Sequence, residues 1–336
     1  MPTCRYYFRM PKNDPIQSAL DRLGELRRAE PSARVIEEVR GFLRSRSNLV
    51  VAKAAKVVVE LRLSAMLPEV VAAFHKLIGD APRLDKRCAA VTELASALYE
   101  LDYDEPSPYL KGIKHVQMEA SYGPPVDEAA KLRAVCARGL LRTRYPERIA
   151  EVVQLLVDRE PTARSGAVRA LASNGGEAGA WLLRLKVLTG DQEAEVLGEC
   201  FAGLLAAAPD KSVPFVASFV DSADEAVAEA AMFALGESRL CPAFEALEDK
   251  WNRTLTGQTR RTLLSAMAAS RLDQAVTFLT SLVEDGSRQI ATYTIEALAI
   301  YRSNDRVKQT IHDALLRRDD NFLLQFFDRE FEKPGG

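Results

Sequence analysis

The sequence has little of the chemistry on which metal-dependent and thiol-dependent enzymes rely. Its only three histidines, His75, His115 and His312, are isolated and lie outside any HExxH or paired His–Glu pattern that would place two ligands one helical turn apart. Its five cysteines include no CxxC pair, and an odd number fits neither a disulfide framework nor a zinc site. We therefore expect reduced thiols, no metal ion, no cofactor and no catalytic residue.

Long apolar runs and alternating segments are also absent. No stretch approaches the roughly 18 uninterrupted apolar residues of a membrane helix, and the first residues lack an apolar run of signal-peptide length. No segment alternates with period two, so we expect essentially no β-sheet. The glycine cluster at 173–179 lacks a preceding strand and a GK[ST] ending, which indicates a turn and not a phosphate-binding loop. These absences favour a cytoplasmic protein without membrane segments.

An internal repeat is visible when the chain is aligned on itself. A small residue followed by a large apolar residue recurs at intervals of 42, 31, 33, 31, 32 and 31 residues. The recurring pairs are Ala97-Leu98, Gly139-Leu140, Ala170-Leu171, Gly203-Leu204, Ala234-Leu235, Ala266-Met267 and Ala297-Leu298. Small or apolar residues also precede each pair by three and by seven positions, and these offsets mark one face of an α-helix. The spacing predicts that each pair lies on the buried stripe of the first helix in a helix-pair unit.

A second apolar helix follows each pair after a short break, often with a proline at its start. Proline suits the first turn of a helix, because its missing N–H would have had no intrahelical partner there. We therefore predict that Pro68, Pro146, Pro214 and Pro242 begin second helices.

Three cysteines can be placed from the same pattern. Cys136 and Cys200 stand where other units have alanine, three residues before the recurring pair, which predicts small buried side chains without reactivity. Cys88 follows Lys86 and Arg87, and that context would lower the pKa of an exposed thiol, although a surface or semi-buried unreactive thiol is the favoured interpretation.

The first-helix pattern resembles the HEAT-like repeat of phycobilisome-lyase-type proteins. Its clearest copies are TARSGAVRALA (162–172) and DEAVAEAAMFALGE (224–237), and Arg133, Arg164 and Arg260 fill the arginine position of the repeat. This resemblance implies an all-α fold, an α–α superhelix or armadillo-like solenoid, of about nine helix pairs. The resemblance concerns the repeat alone and has no bearing on whether a chromophore is bound.

The repeat also suggests how the chain is organised. We expect one HEAT-like domain over 1–336, with an amino-terminal segment and capping helices over 1–47, repeats over 48–318 and a cap or tail over 319–336. Terminal units of such arrays need capping.

Charge is distributed unevenly along the chain, although the formal net charge is only −2. Residues 131–190 carry 11 basic and 5 acidic side chains, and residues 191–249 carry 2 basic and 13 acidic side chains. Adjacent zones of opposite sign can orient a charged partner. Solvated helix faces are the alternative interpretation.

The basic residues between Lys131 and Lys186, with Trp181 nearby, raise the question of nucleic-acid binding, as in the HEAT-like proteins that excise alkylated bases from DNA. Phosphate contacts dominate such affinity, and the acidic zone at 191–249 would repel the backbone. Nucleic-acid binding through 131–186 is therefore kept only as a disfavoured alternative.

Two irregular segments are further candidates for specificity. The insertion at 114–128 lengthens one repeat interval to 42 residues and forms either a rigid exposed loop around Tyr122 or a packed connector. The segment 321–336 carries Phe322, Leu323, Phe326, Phe327 and Phe331 near helical spacing, which indicates either a cap on the last repeat or a docking element. The segment RYYFR at 5–9 admits the same two interpretations.

These observations favour a non-catalytic protein–protein interaction scaffold whose second helices line a concave face. Large aromatic residues and arginine dominate interface energetics, so Trp181, Arg184, Phe215 and Trp251 on predicted second helices are the candidate partner-binding residues. A HEAT-like enzyme or accessory lyase is the alternative from another functional class. The sequence names no partner and no oligomeric state.

Overall fold

A computed structural model describes residues 15–255 and 257–332 of the chain. The described residues form an all-α fold of twenty α-helices with one short β-hairpin. Backbone contacts divide the chain into two compact units, Met1–Ala170 and Leu171–Gly336, with the boundary inside one helix. Among the described residues, no helix is both long enough and apolar enough to cross a membrane.

The first unit is built from helix pairs and one single-turn helix. Its helices are α1 (Pro15–Leu26), α2 (Ala33–Leu43), α3 (Asn48–Glu60), α4 (Leu67–Ile78), α5 (Ala81–Leu84), α6 (Ala89–Glu100), α7 (Ser107–Gly112), α8 (Ala130–Arg142), α9 (Arg148–Val153) and the part of α10 (Pro161–Asn174) up to Ala170. The first helices α1, α3, α6 and α8 pack one against the next, and the second helices α2, α4 and α7 do the same. The unit is therefore two layers of stacked helices.

The second unit repeats the same two-layer arrangement with longer second helices. Its further helices are α11 (Gly176–Thr189), α12 (Ala194–Ala207), α13 (Pro209–Ala217), α14 (Glu225–Glu237), α15 (Cys241–Arg253), α16 (Gln258–Ala269), α17 (Asp273–Asp285), α18 (Arg288–Leu298), α19 (Asp305–Arg318) and α20 (Asn321–Glu332). The first helices α12, α14, α16 and α18 pack in that order, and α13 contacts α15 as α17 contacts α19. Leaving out the single turn α5, the described helices form nine pairs followed by α20, which confirms the predicted number.

The recurring pairs form the core of both units, as the spacing predicted. All fourteen residues of the seven pairs are buried, and so is every residue three positions earlier. Small side chains next to these positions let the first helices approach closely. A Cβ at Gly236 of α14 would lie 2.1 Å from the Ala266 carbonyl oxygen of α16. A Cβ at Gly166 of α10 would lie 2.2 Å from the Cβ of Ala134 in α8. The small residues of the repeat are thus required by helix-to-helix distance.

The prediction that four prolines begin second helices is right for two of them. Pro68 and Pro242 lie in the first turns of α4 and α15, and Pro146 lies in the turn two residues before α9. Pro214, however, lies inside α13, which begins at Pro209. Because Pro214 has no N–H to donate to the carbonyl four residues earlier, α13 tolerates it at the cost of one helical hydrogen bond.

The insertion at 114–128 contains the only β-strands of the described residues, β1 (Met118–Glu119) and β2 (Val126–Asp127). The strands pair antiparallel with Met118 opposite Asp127. The base of the hairpin is packed, since Gln117 is buried, whereas Tyr122 at its tip is fully exposed. The tip of the insertion is therefore an exposed loop, and its base is a packed connector.

The aromatic stripe near the carboxyl terminus is likewise split between two faces of α20. Leu323, Phe327 and Phe331 are buried, and α20 packs on α18 and α19 as a cap would. Phe322 is exposed, and its ring stacks on that of Phe326 with centroids 6.4 Å apart. The segment at 5–9 and the last four residues lie outside the described part of the chain.

Candidate functional site

Helix α11 has apolar side chains on two opposite faces. Its inner face buries Leu183 and Val187 against the rest of the second unit. Its outer face leaves Trp181 58 % exposed, Leu185 56 % exposed and Leu188 65 % exposed. These three residues are spaced by four and three positions, so they form one continuous stripe along the helix. Exposed apolar residues scattered singly are ordinary on a protein surface, but a contiguous stripe of large ones marks an interaction site.

An arginine–aromatic stack borders this stripe. The Arg184 guanidinium lies over the ring of Phe215 in α13, with its Cζ 3.9 Å from the ring centroid. Phe215 is itself held by an edge contact with Phe219 at 5.2 Å, and Phe219 contacts the buried ring of Phe201 at the same distance. The stack is therefore anchored to the core, and Arg184 is held in one orientation by a cation–π interaction.

An open groove runs between α11 and the start of α13, with a volume of about 350 Å³. Trp181 and Arg184 form one wall, and Leu204, Ala208 and Lys211 contribute to the other side. The groove thus offers an aromatic ring, small apolar surface and two cationic side chains to a bound group. We call the groove, the stripe and the Arg184–Phe215 stack together the α11 surface.

Three of the four candidate residues from the sequence meet at the α11 surface. Trp251 does not, because its side chain is only 6 % exposed. It packs edge-on against Phe278 with ring centroids 6.3 Å apart and lies under the Arg260 guanidinium at 4.3 Å. Leu185 and Leu188 were missed by the sequence reasoning, since α11 is apolar almost all round and periodicity does not tell which apolar residues face outward.

The arginine position of the repeat has a structural role in the described units. Arg164 donates from Nη1 to the carbonyl oxygens of Asp158 and Arg159, at 2.9 and 3.0 Å, in the loop that precedes its own helix. Arg260 donates from Nε to the Thr254 carbonyl oxygen at 2.6 Å in the equivalent loop. These two arginines therefore fix the loop before a first helix.

Arg133 forms a larger buried network in the first unit. Its side chain is 3 % exposed and donates from Nε and Nη2 to both carboxylate oxygens of Asp158, at 2.8 and 2.9 Å. Its Nη1 donates to Asp127 Oδ2 at 2.7 Å and to the His115 carbonyl oxygen at 2.9 Å. Burial opposes ionisation of Asp127, but two backbone N–H groups and Arg133 outweigh it and hold the pKa of that carboxyl below its ordinary value. The network ties the hairpin to α8.

Other cations of the basic stretch are engaged with neighbouring groups too. The guanidinium carbons of Arg138 and Arg142 lie 4.4 and 4.9 Å from the centroid of the Tyr99 ring. Lys186 pairs with Asp191, with Nζ 2.8 Å from Oδ2. Much of the positive charge between 131 and 186 is thus directed at this protein's own groups.

The buried thiols are protonated at neutral pH. Burial raises the pKa of Cys88 and of Cys200 to about 12, with nearby carboxylates adding to the effect at Cys88, and burial alone raises the pKa of Cys136. The predicted burial of Cys136 and Cys200 is confirmed. Cys88 is fully buried, so the expected surface or semi-buried position is wrong, and its basic neighbours do not lower its pKa. Across residues 15–255 and 257–332, no group of three His, Cys, Asp or Glu side chains is arranged to hold a metal ion.

Comparisons with known proteins find similarity among solved structures. No family model matches the sequence, and no curated protein matches it. An engineered protein of known crystal structure is 18 % identical, with 97 % of each chain covered and a TM-score of 0.33. The complex of CpcE and CpcF of phycocyanin lyase from Nostoc is 15 % identical, covers 72 % of this chain and 94 % of that chain, and has a TM-score of 0.36. A phycocyanin lyase thus stands among the structural neighbours, as the repeat-level resemblance predicted, and the likeness concerns the helical repeat alone.

Proposed function

We propose that this protein is a non-catalytic interaction module that binds a partner protein through the α11 surface. The observation that carries the proposal is the exposed stripe of Trp181, Leu185 and Leu188, which the packing of the second unit does not use. Burying such side chains at an interface is favourable in proportion to the apolar area removed from water. Tryptophan and arginine are also the residue types that most often dominate binding energy.

The rigidity of the α11 surface supports the same proposal. Arg184 is stacked on Phe215, which is anchored through Phe219 to the core, so binding a partner would cost little further ordering of these side chains. The neighbouring groove, about 350 Å³ in volume, is of a size to receive one or two side chains of a partner. A flat apolar stripe beside a shallow groove suits a helix or a loop of another protein.

The test is affinity capture from native lysate with a matched pair of variants. Trp181→Ala with Leu185→Ala removes the centre of the stripe, and Leu316→Ala with Ile300→Ala removes two exposed apolar side chains elsewhere in the second unit. All four side chains are about half exposed or more, so both variants should fold like the wild type. Because a central tryptophan contributes about 2 kcal/mol or more, the first variant should bind a captured partner roughly thirtyfold more weakly.

Two outcomes would count against the proposal. A stoichiometric partner that is retained equally by both variants would place binding somewhere other than the α11 surface. Capture of nucleic acid, of a coloured small molecule or of a metal-containing species in place of a protein would favour one of the alternative classes, nucleic-acid binding through 131–186 or an enzyme or lyase.

Trp251→Ala should lower thermal stability and leave partner affinity unchanged, because the Trp251 side chain is packed inside the second unit.

A further inference from the structure

The first unit contains a separate groove on the side formed by its first helices. Residues of α1, α3, α6 and α8 line it, and its volume is about 620 Å³. Leu20, Leu49 and Ala52 give it an apolar floor, and Leu49 is 54 % exposed. This groove lies in a different compact unit from the α11 surface, so its ligand is independent of the proposed function.

Basic side chains outnumber acidic ones around this groove. Lys53, Lys56, Arg87 and Lys131 line it together with only two carboxylates, those of Glu93 and Glu128. Lys56 pairs with Glu93, with Nζ 3.3 Å from Oε1. Within the described part of the chain, Lys53, Arg87 and Lys131 form no ion pair, and the side chains that line the groove carry four positive and two negative charges above an apolar floor. Glu119 lies nearby and accepts a hydrogen bond from the Arg87 backbone N–H at 2.6 Å.

The backbone beside the groove is left-handed at two residues that follow the buried Asp85. Arg87 and Cys88 both adopt left-handed conformations, with φ of 61° and 50°, although neither is glycine. Each non-glycine residue in this conformation costs about 1 kcal/mol or more of folding free energy, and it persists only where surrounding contacts hold the backbone in place.

Several hydrogen bonds hold the backbone of this corner in place. The buried carboxylate of Asp85 accepts hydrogen bonds from the backbone N–H groups of Ala90 and Val91, at 3.0 and 2.8 Å, and from Asn48 Nδ2 at 2.9 Å. The Gln117 side chain donates to the Asp85 carbonyl oxygen at 2.9 Å. The corner before α6 is therefore fixed from the first turn of α6, from α3 and from the hairpin at once.

We propose that this groove binds an acidic amphipathic helix of a partner protein. An apolar floor suits leucine-like anchors at three- and four-residue spacing, and the unpaired cations suit carboxylates on the flanks of such a helix. A nucleic acid fits less well, because no aromatic ring among the described residues lines the groove for base stacking and Glu93 and Glu128 would repel a phosphate backbone.

The experiment uses the full-length protein and a fluorescent synthetic helix as the probe. The probe carries leucines three and four residues apart and glutamates on the flanking positions, and its binding is followed by fluorescence anisotropy. One control peptide replaces every glutamate by lysine, and another replaces every leucine by alanine. A single-stranded oligonucleotide of similar length tests the other class of ligand.

Matched protein variants assign the binding to the groove. Lys53→Glu with Lys131→Glu reverses two groove charges, and Lys76→Glu with Lys111→Glu makes the same change in net charge on the second helices α4 and α7. We expect the groove variant to bind the acidic probe at least about tenfold more weakly and the control variant to bind it within about twofold of the wild type. Arg87→Gly should weaken binding by about two- to fivefold without lowering the unfolding temperature, because glycine relieves the left-handed strain.

Three results would overturn the proposal. The acidic peptide would bind no more tightly than its lysine counterpart, or both charge-reversed variants would bind it like the wild type, or the oligonucleotide would bind more tightly than any peptide. Loss of affinity on replacing leucine by alanine supports the apolar floor as the contact surface, and unchanged affinity contradicts it. Should Arg87→Gly fail to fold, the two charge-reversed variants still decide the question.

Discussion

Replacing Arg133 tests whether the buried network in the first unit stabilises the fold. Arg133→Met removes four hydrogen bonds and leaves the carboxylates of Asp127 and Asp158, which are 8 % and 14 % exposed, without their cation. Breaking a buried pair by removing one partner costs about 3–5 kcal/mol, because the remaining charge stays buried. For a unit of this size, such a loss lowers the unfolding temperature by roughly 6–20 °C.

The measurement is thermal unfolding followed by circular dichroism, with a control on the same helix. Arg142→Met removes the ion pair of Arg142 with Asp102, whose side chains are 37 % and 73 % exposed, and exposed pairs contribute about 1 kcal/mol or less. Adding Asp158→Asn to Arg133→Met should recover about 1–3 kcal/mol, because one of the two uncompensated carboxylates is then neutral. A loss for Arg133→Met no larger than that for Arg142→Met would refute the reasoning.

Three further predictions concern packing, thiol chemistry and pH. Gly236→Ala should lower stability by about 1–3 kcal/mol, because the new Cβ would lie 2.1 Å from a backbone oxygen of α16. Gly41→Ala places its Cβ in open space and should raise stability by about 0.5–1 kcal/mol. The unfolding temperatures of the two variants check both expectations. Iodoacetamide at neutral pH should modify exposed Cys241 in the native protein and spare Cys200, as peptide mass mapping would show, and equal labelling would contradict the burial of Cys200. The pKa of Asp127 is lowered in the folded state, so the ionised carboxyl stabilises the fold at pH values above the ordinary carboxyl pKa of about 3.9. This stabilisation is lost as the pH falls through the lower pKa of the folded state. The difference in unfolding free energy between wild type and Asp127→Asn should therefore narrow below about pH 4.

The repeat could be predicted from sequence because its physical cause is local and periodic. First helices pack at backbone distance, so positions such as Gly236 and Gly166 admit only small residues, and small residues recur in the first helices at nearly constant spacing. The same regularity gave the number of helix pairs and the burial of Cys136 and Cys200. A periodic steric constraint leaves a pattern that one sequence alone can reveal.

The orientation of second helices could not be predicted in the same way. In α11, Trp181, Leu185 and Leu188 are exposed while Leu183 and Val187 are buried, yet all five are apolar. Hydrophobic periodicity distinguishes faces only when one of them is polar. The sequence therefore indicated Trp181 by its residue type and gave no reason to choose Leu185.

Local backbone geometry was the other feature beyond pattern reasoning. The later Pro214 gave no sign that α13 begins at Pro209, and the left-handed pair Arg87–Cys88 lies in a corner held by contacts between segments distant in sequence. At the Arg87 corner, the buried Asp85 and the hairpin residue Gln117 fix the backbone from positions about 30 residues apart. A proline or a Lys-Arg dipeptide read alone carries no sign of such neighbours.

Function in an array of this kind should lie in residues that the repeat does not require. The small residues of the first helices, the arginines that fix the preceding loops and the caps of the helices are all explained by packing and hydrogen bonding within a unit. Trp181 and Leu185 on α11 are not, because they are large, apolar and exposed. Substituting these residues should therefore change binding more than stability, and substituting Trp251 or Arg133 should change stability more than binding.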